Sequence, residues 1–224
     1  MSAAPPDPSL PAEFDALPLF PLPRVVLLPH TLLPLHIFEP RYRALVEHCL
    51  DTGAVFGIPR LKPDGPDCAD CPPFERVMGL ARIVRHQPLP DGRSNIVVLG
   101  VGRARFRTEL PASTAPYRVG RCSCLDDILA PTPPSTQLNR VLDQLRLAAM
   151  QIVHGRSEVT QELERLLGCK RDPAEVVDIL AHMSLRDTND RQAFLELDSV
   201  PERADHLLAA LTHILYTERA CAEC

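Results

Sequence analysis

The stretch from Leu17 to Tyr42, LPLFPLPRVVLLPHTLLPLHIFEPRY, decides how the rest of the chain is organised. Most of its residues are apolar, and prolines interrupt it every few positions: Pro18, Pro21, Pro23, Pro29, Pro34 and Pro40. Each proline removes a backbone donor and restricts φ, so the stretch cannot form the unbroken helix of about 20 residues that crosses a membrane. We therefore predict short extended segments and core-facing coil, buried in protein.

The spacing of apolar residues changes to a helical period at Glu39-Pro40. Proline suits the first turn of a helix, and a carboxylate is favourable near its positive N-terminus. The apolar residues that follow are spaced as on one face of a helix: Tyr42, Leu45, Val46, Cys49 and Leu50. Asp51-Thr52-Gly53 is typical of a helix end. The stretch therefore predicts strands that lead directly into one amphipathic helix.

The same residues carry a family resemblance. The order LPLFPLPRVVLLPHTLLPLHIFEPRYRALVEHCL, followed by an FGI strand, resembles the opening of the Lon protease N-terminal domain. Three later segments occur in the order that this family places them: GLARI, PDGRSNIVVLGVGRARF and LLAALTHIL. The resemblance implies a PUA-like β-barrel followed by a helical part, which Lon proteases use to recognise substrate polypeptide.

Strand-like patterns continue to about residue 127, and helical periodicity replaces them after the prolines at 131–134. We predict an α+β fold in which a flexible arm spans residues 1–13. A PUA-like antiparallel β-barrel with one inserted helix spans residues 14–128. An α-helical bundle of about five helices spans residues 135–224, including a short helix over Ser157–Leu167 and helix starts at Asp172-Pro173 and Ser199-Val200.

The composition excludes several classes of protein. The chain has 224 residues, is 45% hydrophobic and has a formal net charge of -5. It is long enough to bury a real core, and its charge provides no global attraction to nucleic acid or anionic lipid. The N-terminus lacks the basic and apolar regions of a secretory signal, so we expect a cytoplasmic protein without a membrane partner. Its 8 cysteines are then expected to be reduced thiols.

The sequence predicts a protein that is not an enzyme and binds no cofactor. Lon proteases follow this region with an ATPase and a peptidase domain, whereas this sequence contains no G-x-x-x-x-G-K-[ST] phosphate loop. No pair of carboxylates shows the spacing of an acid–base or metal site. The resemblance therefore implies a stand-alone substrate-recognition module in protein quality control, with a separate protease as a further partner.

The block from His36 to Tyr42 is the candidate polypeptide-binding site. Its residues can simply anchor the helix on the barrel, with Glu39 and Arg41 pairing locally. The functional interpretation is that this strand-to-helix corner borders a groove between barrel and helices that accepts an unfolded or extended protein segment. We assign this binding to Phe38, Glu39, Arg41 and Tyr42.

Two alternatives stay open at this stage. Between Glu75 and Arg121 there are nine arginines and three acidic residues. Arg103, Arg105 and Arg107 would stand about 7 Å apart along one strand face, a row that could contact RNA phosphates, although few aromatic residues accompany them. The second alternative is a zinc-stabilised structural protein whose ligands come from the C-x-x-C pairs at Cys68, Cys71, Cys221 and Cys224, with Cys122, Cys124 and His86 as further candidates.

Overall fold

The structure, a computed structural model, describes residues 10–62, 72–111, 115–128, 136–152 and 171–222. The chain divides into two compact units between Asp126 and Asp127. The described part of the first unit contains six strands and one helix, and that of the second contains four helices. The predicted helix over 157–167 lies outside the described residues. Strands followed by helices confirm the predicted α+β class.

The strands of the first unit close on themselves. They are β1 (Glu13–Leu19), β2 (Leu32–Ile37), β3 (Phe56–Ile58), β4 (Val77–Pro88), β5 (Ser94–Glu109) and β6 (Arg118–Leu125). Hydrogen-bonded pairing runs β5–β4–β3–β1–β6 and returns to β5, the closed ring that a barrel requires, while β2 extends it by pairing with β5. All pairings are antiparallel except β1–β3, where Leu19 pairs with Gly57 in parallel. The prediction of an antiparallel barrel therefore holds with one parallel exception.

The middle of the proline-rich stretch is buried coil, as predicted. Leu27 and Leu28 are 2% and 0% exposed and belong to no strand. Their carbonyl oxygens lie so close to the sheet that a Cβ added at Gly79 or Gly100 would be 2.2 or 2.1 Å from them. Only glycine fits at these two points of strands β4 and β5. We call residues 25–28 the crossing segment, because its carbonyls lie against β4 at Gly79 and against β5 at Gly100.

The helix α1 (Pro40–Thr52) begins and ends where its sequence indicates. Pro40 occupies its first turn, and Gly53, with φ of 68°, provides the left-handed C-cap. Its inward residues Tyr42, Leu45, Val46 and Cys49 are buried as predicted. Leu50 is 41% exposed, so its predicted place on the inward face is wrong. It lies at the edge of the stripe, in the last turn of the helix.

Residues 10–13 contact the sheet, although the sequence predicts a flexible arm over residues 1–13. Leu10 is partly buried against the core cluster that includes Leu17 and Met78. The backbone N–H of Cys124 donates a 2.8 Å hydrogen bond to the carbonyl of Ala12. An apolar side chain and a backbone pairing therefore hold residues 10–13 against the sheet.

The second unit contains α2 (Thr136–Ile152), α3 (Pro173–Ser184), α4 (Thr188–Glu196) and α5 (Val200–Ala222). The cap predicted at Asp172 forms, because its Oδ1 accepts a 2.9 Å hydrogen bond from the N–H of Ala174. Its helical spacing from Val176 and Leu180 predicts that Met183 faces inward, but Met183 is 42% exposed and this prediction is wrong. Among the residues that the structure describes, no helix is both long and apolar enough to cross a membrane.

A buried ion cluster joins three segments of the second unit. Arg203 on α5 is fully buried, and its guanidinium lies 2.7 Å from Asp178 on α3 and 2.6 Å from Asp127. It also lies 5.9 Å from the centre of the Phe194 ring on α4. Burial lowers the pKa of Arg203, but the carboxylates of Asp178 and Asp127 raise it, and the net direction is upward. The charge is therefore retained in the core by two opposite charges.

Candidate functional site

The structure separates the residues predicted at the strand-to-helix corner. Phe38, directly after β2, is 59% exposed. Tyr42 is a core residue whose ring lies 4.0 Å from the ring of Phe20, between centroids. Glu39 and Arg41 form an exposed ion pair at 2.9 Å, and the Arg41 guanidinium covers the Tyr42 ring at 4.6 Å. Of this block, only Phe38 presents a large apolar surface to a partner.

Phe38 borders a groove on the outer face of three strands. The ring of Phe38 stacks on that of His36, with 6.2 Å between centroids and an interplanar angle of 24°. His36 lines a cavity of about 400 Å³ whose other lining residues are Pro34, Leu35, Arg85, Gln87, Asn95, Ile96 and Val97. We call this cavity the β2 groove. It belongs entirely to the first unit, whereas the sequence predicted a groove between barrel and helices.

The strand register explains which side chains meet in the β2 groove. Pro34 on β2 pairs with Val97 on β5, and Val97 pairs with Arg85 on β4. His36, Asn95 and Gln87 form the neighbouring row in the same way. Residues in register across adjacent strands project from the same face of a sheet. One row of the groove therefore consists of the apolar Pro34 and Val97 followed by the cation of Arg85, and the row beside it consists of polar side chains.

The polar row is partly fixed by a hydrogen bond. Nδ1 of His36 and Oδ1 of Asn95 lie 2.7 Å apart. Leu32, two residues before Pro34 on the same face, is 53% exposed. The apolar surface thus continues along β2 from Leu32 through Pro34, and Phe38 lies just beyond the end of the strand.

A second cavity lies on the other side of the corner. It measures about 220 Å³ and is lined by Arg41, Tyr42, Glu109, Tyr117 and Arg118 together with small, apolar and proline residues. Arg118 is held by two 2.7 Å contacts to the carboxylate of Glu109 and by a 2.7 Å hydrogen bond to the carbonyl of Pro72. Burial raises the pKa of both tyrosines, which keeps their hydroxyls protonated. The charges of this cavity are paired locally.

The arginine row predicted on β5 does not form a continuous exposed surface. Arg103 is 1% exposed and donates a hydrogen bond to the carbonyl of Asp126 at 3.4 Å, so its predicted place in a solvent-facing row is wrong. Arg105 is half-buried, and Nε of the exposed Arg107 donates to Oγ of Ser123 at 2.8 Å. The physical reason is that both faces of β5 are covered at this end, since Arg103 and its neighbour Ala104 project to opposite faces and both are buried.

The zinc alternative has no support in the described part of the chain. Among the residues that the structure describes, no group of three His, Cys, Asp or Glu side chains is arranged to hold a metal ion. Cys122 is buried, and burial raises the pKa of its thiol to about 12, which disfavours the thiolate that binds zinc. Cys124 is half-buried and His86 is exposed. Cys68, Cys71 and Cys224, and the side chain of Cys221, lie outside the described residues.

The sequence predicts the binding site at the strand-to-helix corner, but it does not indicate the groove residues on β4 and β5. The segment RIVRHQ alternates imperfectly because the β4–β5 register shifts between Ile83 and Arg85. A residue added at a bulge moves the following side chains to the opposite face. The β-branched run Ser94–Leu99 was a usable signal, since its polar Asn95 and apolar Val97 lie on the outer face beside β2.

The chain belongs to the family described as the ATP-dependent protease La (LON) substrate-binding domain, which matches residues 16–213. This match confirms the family resemblance that the sequence carries.

Relatives and solved structures agree with this assignment. The Lon protease of Cytophaga hutchinsonii is 26% identical over 200 residues, which are 88% of this chain and 24% of that protein. The crystal structure of the Lon N-terminal domain protein from Xanthomonas campestris aligns with a TM-score of 0.59 at 26% identity, covering 88% of this chain and 98% of that one. The N-terminal domain of Mycobacterium avium complex Lon protease shares the fold, with a TM-score of 0.69 at 15% identity and the same coverages. The chain spans about a quarter of the length of the curated Lon proteases that it matches.

Proposed function

We propose that this chain is a non-catalytic module that binds unfolded or extended polypeptide. The observation that carries the proposal is the exposed Phe38, which borders the β2 groove in a domain whose family is described as substrate-binding. Passing bound segments to a separate protease is the quality-control role that such binding would serve.

The surface around Phe38 has the properties that extended segments need. Leu32 and Phe38 are 53% and 59% exposed, and the β2 groove between them provides a concave apolar floor. Among the described strands, β2 pairs with β5 alone, so its other edge can accept a segment by backbone hydrogen bonding. Pro34 lacks a backbone N–H, which limits uncontrolled pairing of this edge with other chains.

Truncating Phe38 tests the proposal. Fully burying a phenylalanine side chain contributes about 1.5–3 kcal/mol, and Phe38 has somewhat more than half of its surface available for a partner. Phe38→Ala is therefore expected to weaken binding by about 1–2 kcal/mol, which is roughly a 5- to 30-fold increase in Kd. The probe is a fluorescently labelled, reduced and carboxymethylated protein that cannot refold, followed by anisotropy.

The control is Tyr216→Ala on α5, which removes an aromatic ring that is 75% exposed in the second unit. Binding through apolar area should survive high salt. Loss of affinity in Phe38→Ala but not in Tyr216→Ala supports the proposal. Equal affinity of wild type and Phe38→Ala would contradict it.

The same assay with single-stranded RNA addresses the alternative. RNA binding through Arg105 and Arg107 would weaken steeply with salt and would be lost in Arg105→Glu. The polypeptide proposal is favoured because, within the predicted row, Arg103 is buried, Arg105 is half-buried and only Arg107 is exposed. RNA binding without polypeptide binding would indicate that the functional surface is the arginine face of β5 and not the β2 groove.

A further inference from the structure

The β2 groove has an uneven distribution of charge. Its lining includes the cation of Arg85 and the imidazole of His36 but no aspartate or glutamate. Two other exposed arginines of the first unit are paired with carboxylates, Arg41 with Glu39 at 2.9 Å and Arg93 with Asp91 at 2.6 Å. Arg85 is exposed, and among the described residues no carboxylate pairs with it. This cationic groove belongs to a chain whose net charge is -5.

The apolar Pro34 and the cation of Arg85 flank strand β5 on opposite sides. Pro34, Val97 and Arg85 form one row across three strands, which spans about 10 Å at the usual distance between strands. In an extended segment, successive side chains project to opposite sides. A segment that lies in the β2 groove along β5, instead of adding to the edge of β2, can therefore place an apolar side chain over Pro34 and Val97 while it turns an acidic one toward Arg85.

We infer that the β2 groove selects extended segments in which an acidic residue is flanked by apolar residues. This inference rests on the proposed polypeptide binding and names the class of segment that is bound. The apolar floor provides affinity, and the Arg85 guanidinium provides selectivity, because a segment with a basic residue at that position would meet a like charge.

Three labelled eight-residue peptides test the inference. They share the same leucine and valine flanks and differ only in a central glutamate, glutamine or lysine. Exposed ion pairs are modest, so wild type is expected to bind the glutamate peptide about two- to fivefold more tightly than the glutamine peptide at low salt. The difference should disappear in 1 M salt, where charges are screened within about 3 Å.

Variants identify the residue responsible. In Arg85→Gln the preference for glutamate should vanish, and in Arg85→Glu it should reverse in favour of the lysine peptide. Arg76→Gln is the matched control, because Arg76 is an exposed arginine of the same unit that does not line the groove, and it should retain the preference. Since Arg85→Glu is expected to gain a ligand, a misfolded variant cannot imitate the result.

The outcomes separate the inference from the proposed function. Equal binding of the three peptides by wild type, with affinity that still depends on Phe38, would overturn the inference and leave polypeptide binding in place. A preference for glutamate that survives in Arg85→Gln would also overturn it, because the carboxylate would then be recognised elsewhere. Failure of the peptides and of the unfolded protein probe to bind would overturn both.

Discussion

Replacing Gly100 by alanine should destabilise the first unit by about 3 kcal/mol, because the crossing segment lies directly against the backbone at this point. The new Cβ would lie 2.1 Å from the carbonyl oxygen of Leu28 and 3.2 Å from Cα of Pro29, well inside the 3.4 Å of ordinary contact. Both neighbours are backbone atoms, so no side-chain rotation can relieve the overlap. The crossing segment or strand β5 must move.

The magnitude follows from what that movement disrupts. Overpacking of a well-packed core costs about 1–3 kcal/mol. Two backbone hydrogen bonds lie at the same place, from the N–H of His30 to Gly100 at 2.8 Å and from the N–H of Gly100 to Thr31 at 2.9 Å. Each hydrogen bond contributes about 0.5–1.5 kcal/mol to stability. Alanine also reduces the conformational freedom of the unfolded chain, which stabilises the folded state by about 0.4–1 kcal/mol. The middle of each range gives a net loss of about 3 kcal/mol.

Urea unfolding followed by far-UV circular dichroism measures this loss, and hydrogen exchange of β5 assigns the transition to the first unit. With an m-value of about 2 kcal/mol/M, the midpoint should fall by about 1–2 M. The matched control is Gly102→Ala on the same strand, where the added Cβ would meet only the flexible ends of Leu10 at 3.0 Å and Leu80 at 3.8 Å. A midpoint for Gly100→Ala equal to that of Gly102→Ala would show that the backbone overlap at Gly100 does not destabilise the first unit.

Two further predictions concern buried polar groups. Asp178→Asn should destabilise the second unit by about 3–5 kcal/mol, because, among the described residues, Asp127 would then be the one carboxylate paired with the fully buried Arg203. A thermal melt that moves by less than 2 °C would contradict this. Burial raises the pKa of the Cys49 and Cys122 thiols from 9.0 to about 12. Both should resist iodoacetamide at pH 8 until urea is added, as read by peptide-resolved mass spectrometry. Stability should fall as pH rises from 9 toward 12, because the unfolded chain loses these protons first; a flat profile over that range would argue against it.

The elements that depend on local chemistry are predictable from the sequence. Glu39-Pro40 marks the start of α1, Asp172 caps α3, and the β-branched run from Ser94 indicates a strand. Gly100-Val101-Gly102 is a further local signal, typical of a turn or a bulge. Leu80 pairs with Gly102 and Ala81 with Gly100, so Val101 is the extra residue of a bulge inside one long strand.

The features that depend on non-local contacts are not predictable in this way. Strand β1 begins at Glu13, four residues before the apolar run, because backbone pairing with β6 holds residues whose side chains are exposed. The order of apolar and polar residues in β1 and in β3 does not indicate that these two strands pair in parallel. Arg103 is buried and its guanidinium donates to the carbonyl of Asp126, 23 residues later, and the groove at Arg85 depends on a register shift between two strands.

The pairing of β1 with β6 has a consequence for synthesis on the ribosome. Phe14 pairs with Cys122, so β1 waits for a partner that is 108 residues later in the chain. At about 5–20 residues per second, that interval lasts roughly 5–20 s. Leu17 and Leu19, fully buried in the finished sheet, are synthesised early but complete their packing only after β6 has been made. The nascent chain is therefore itself an unfolded, apolar polypeptide of the kind that the finished domain is proposed to bind.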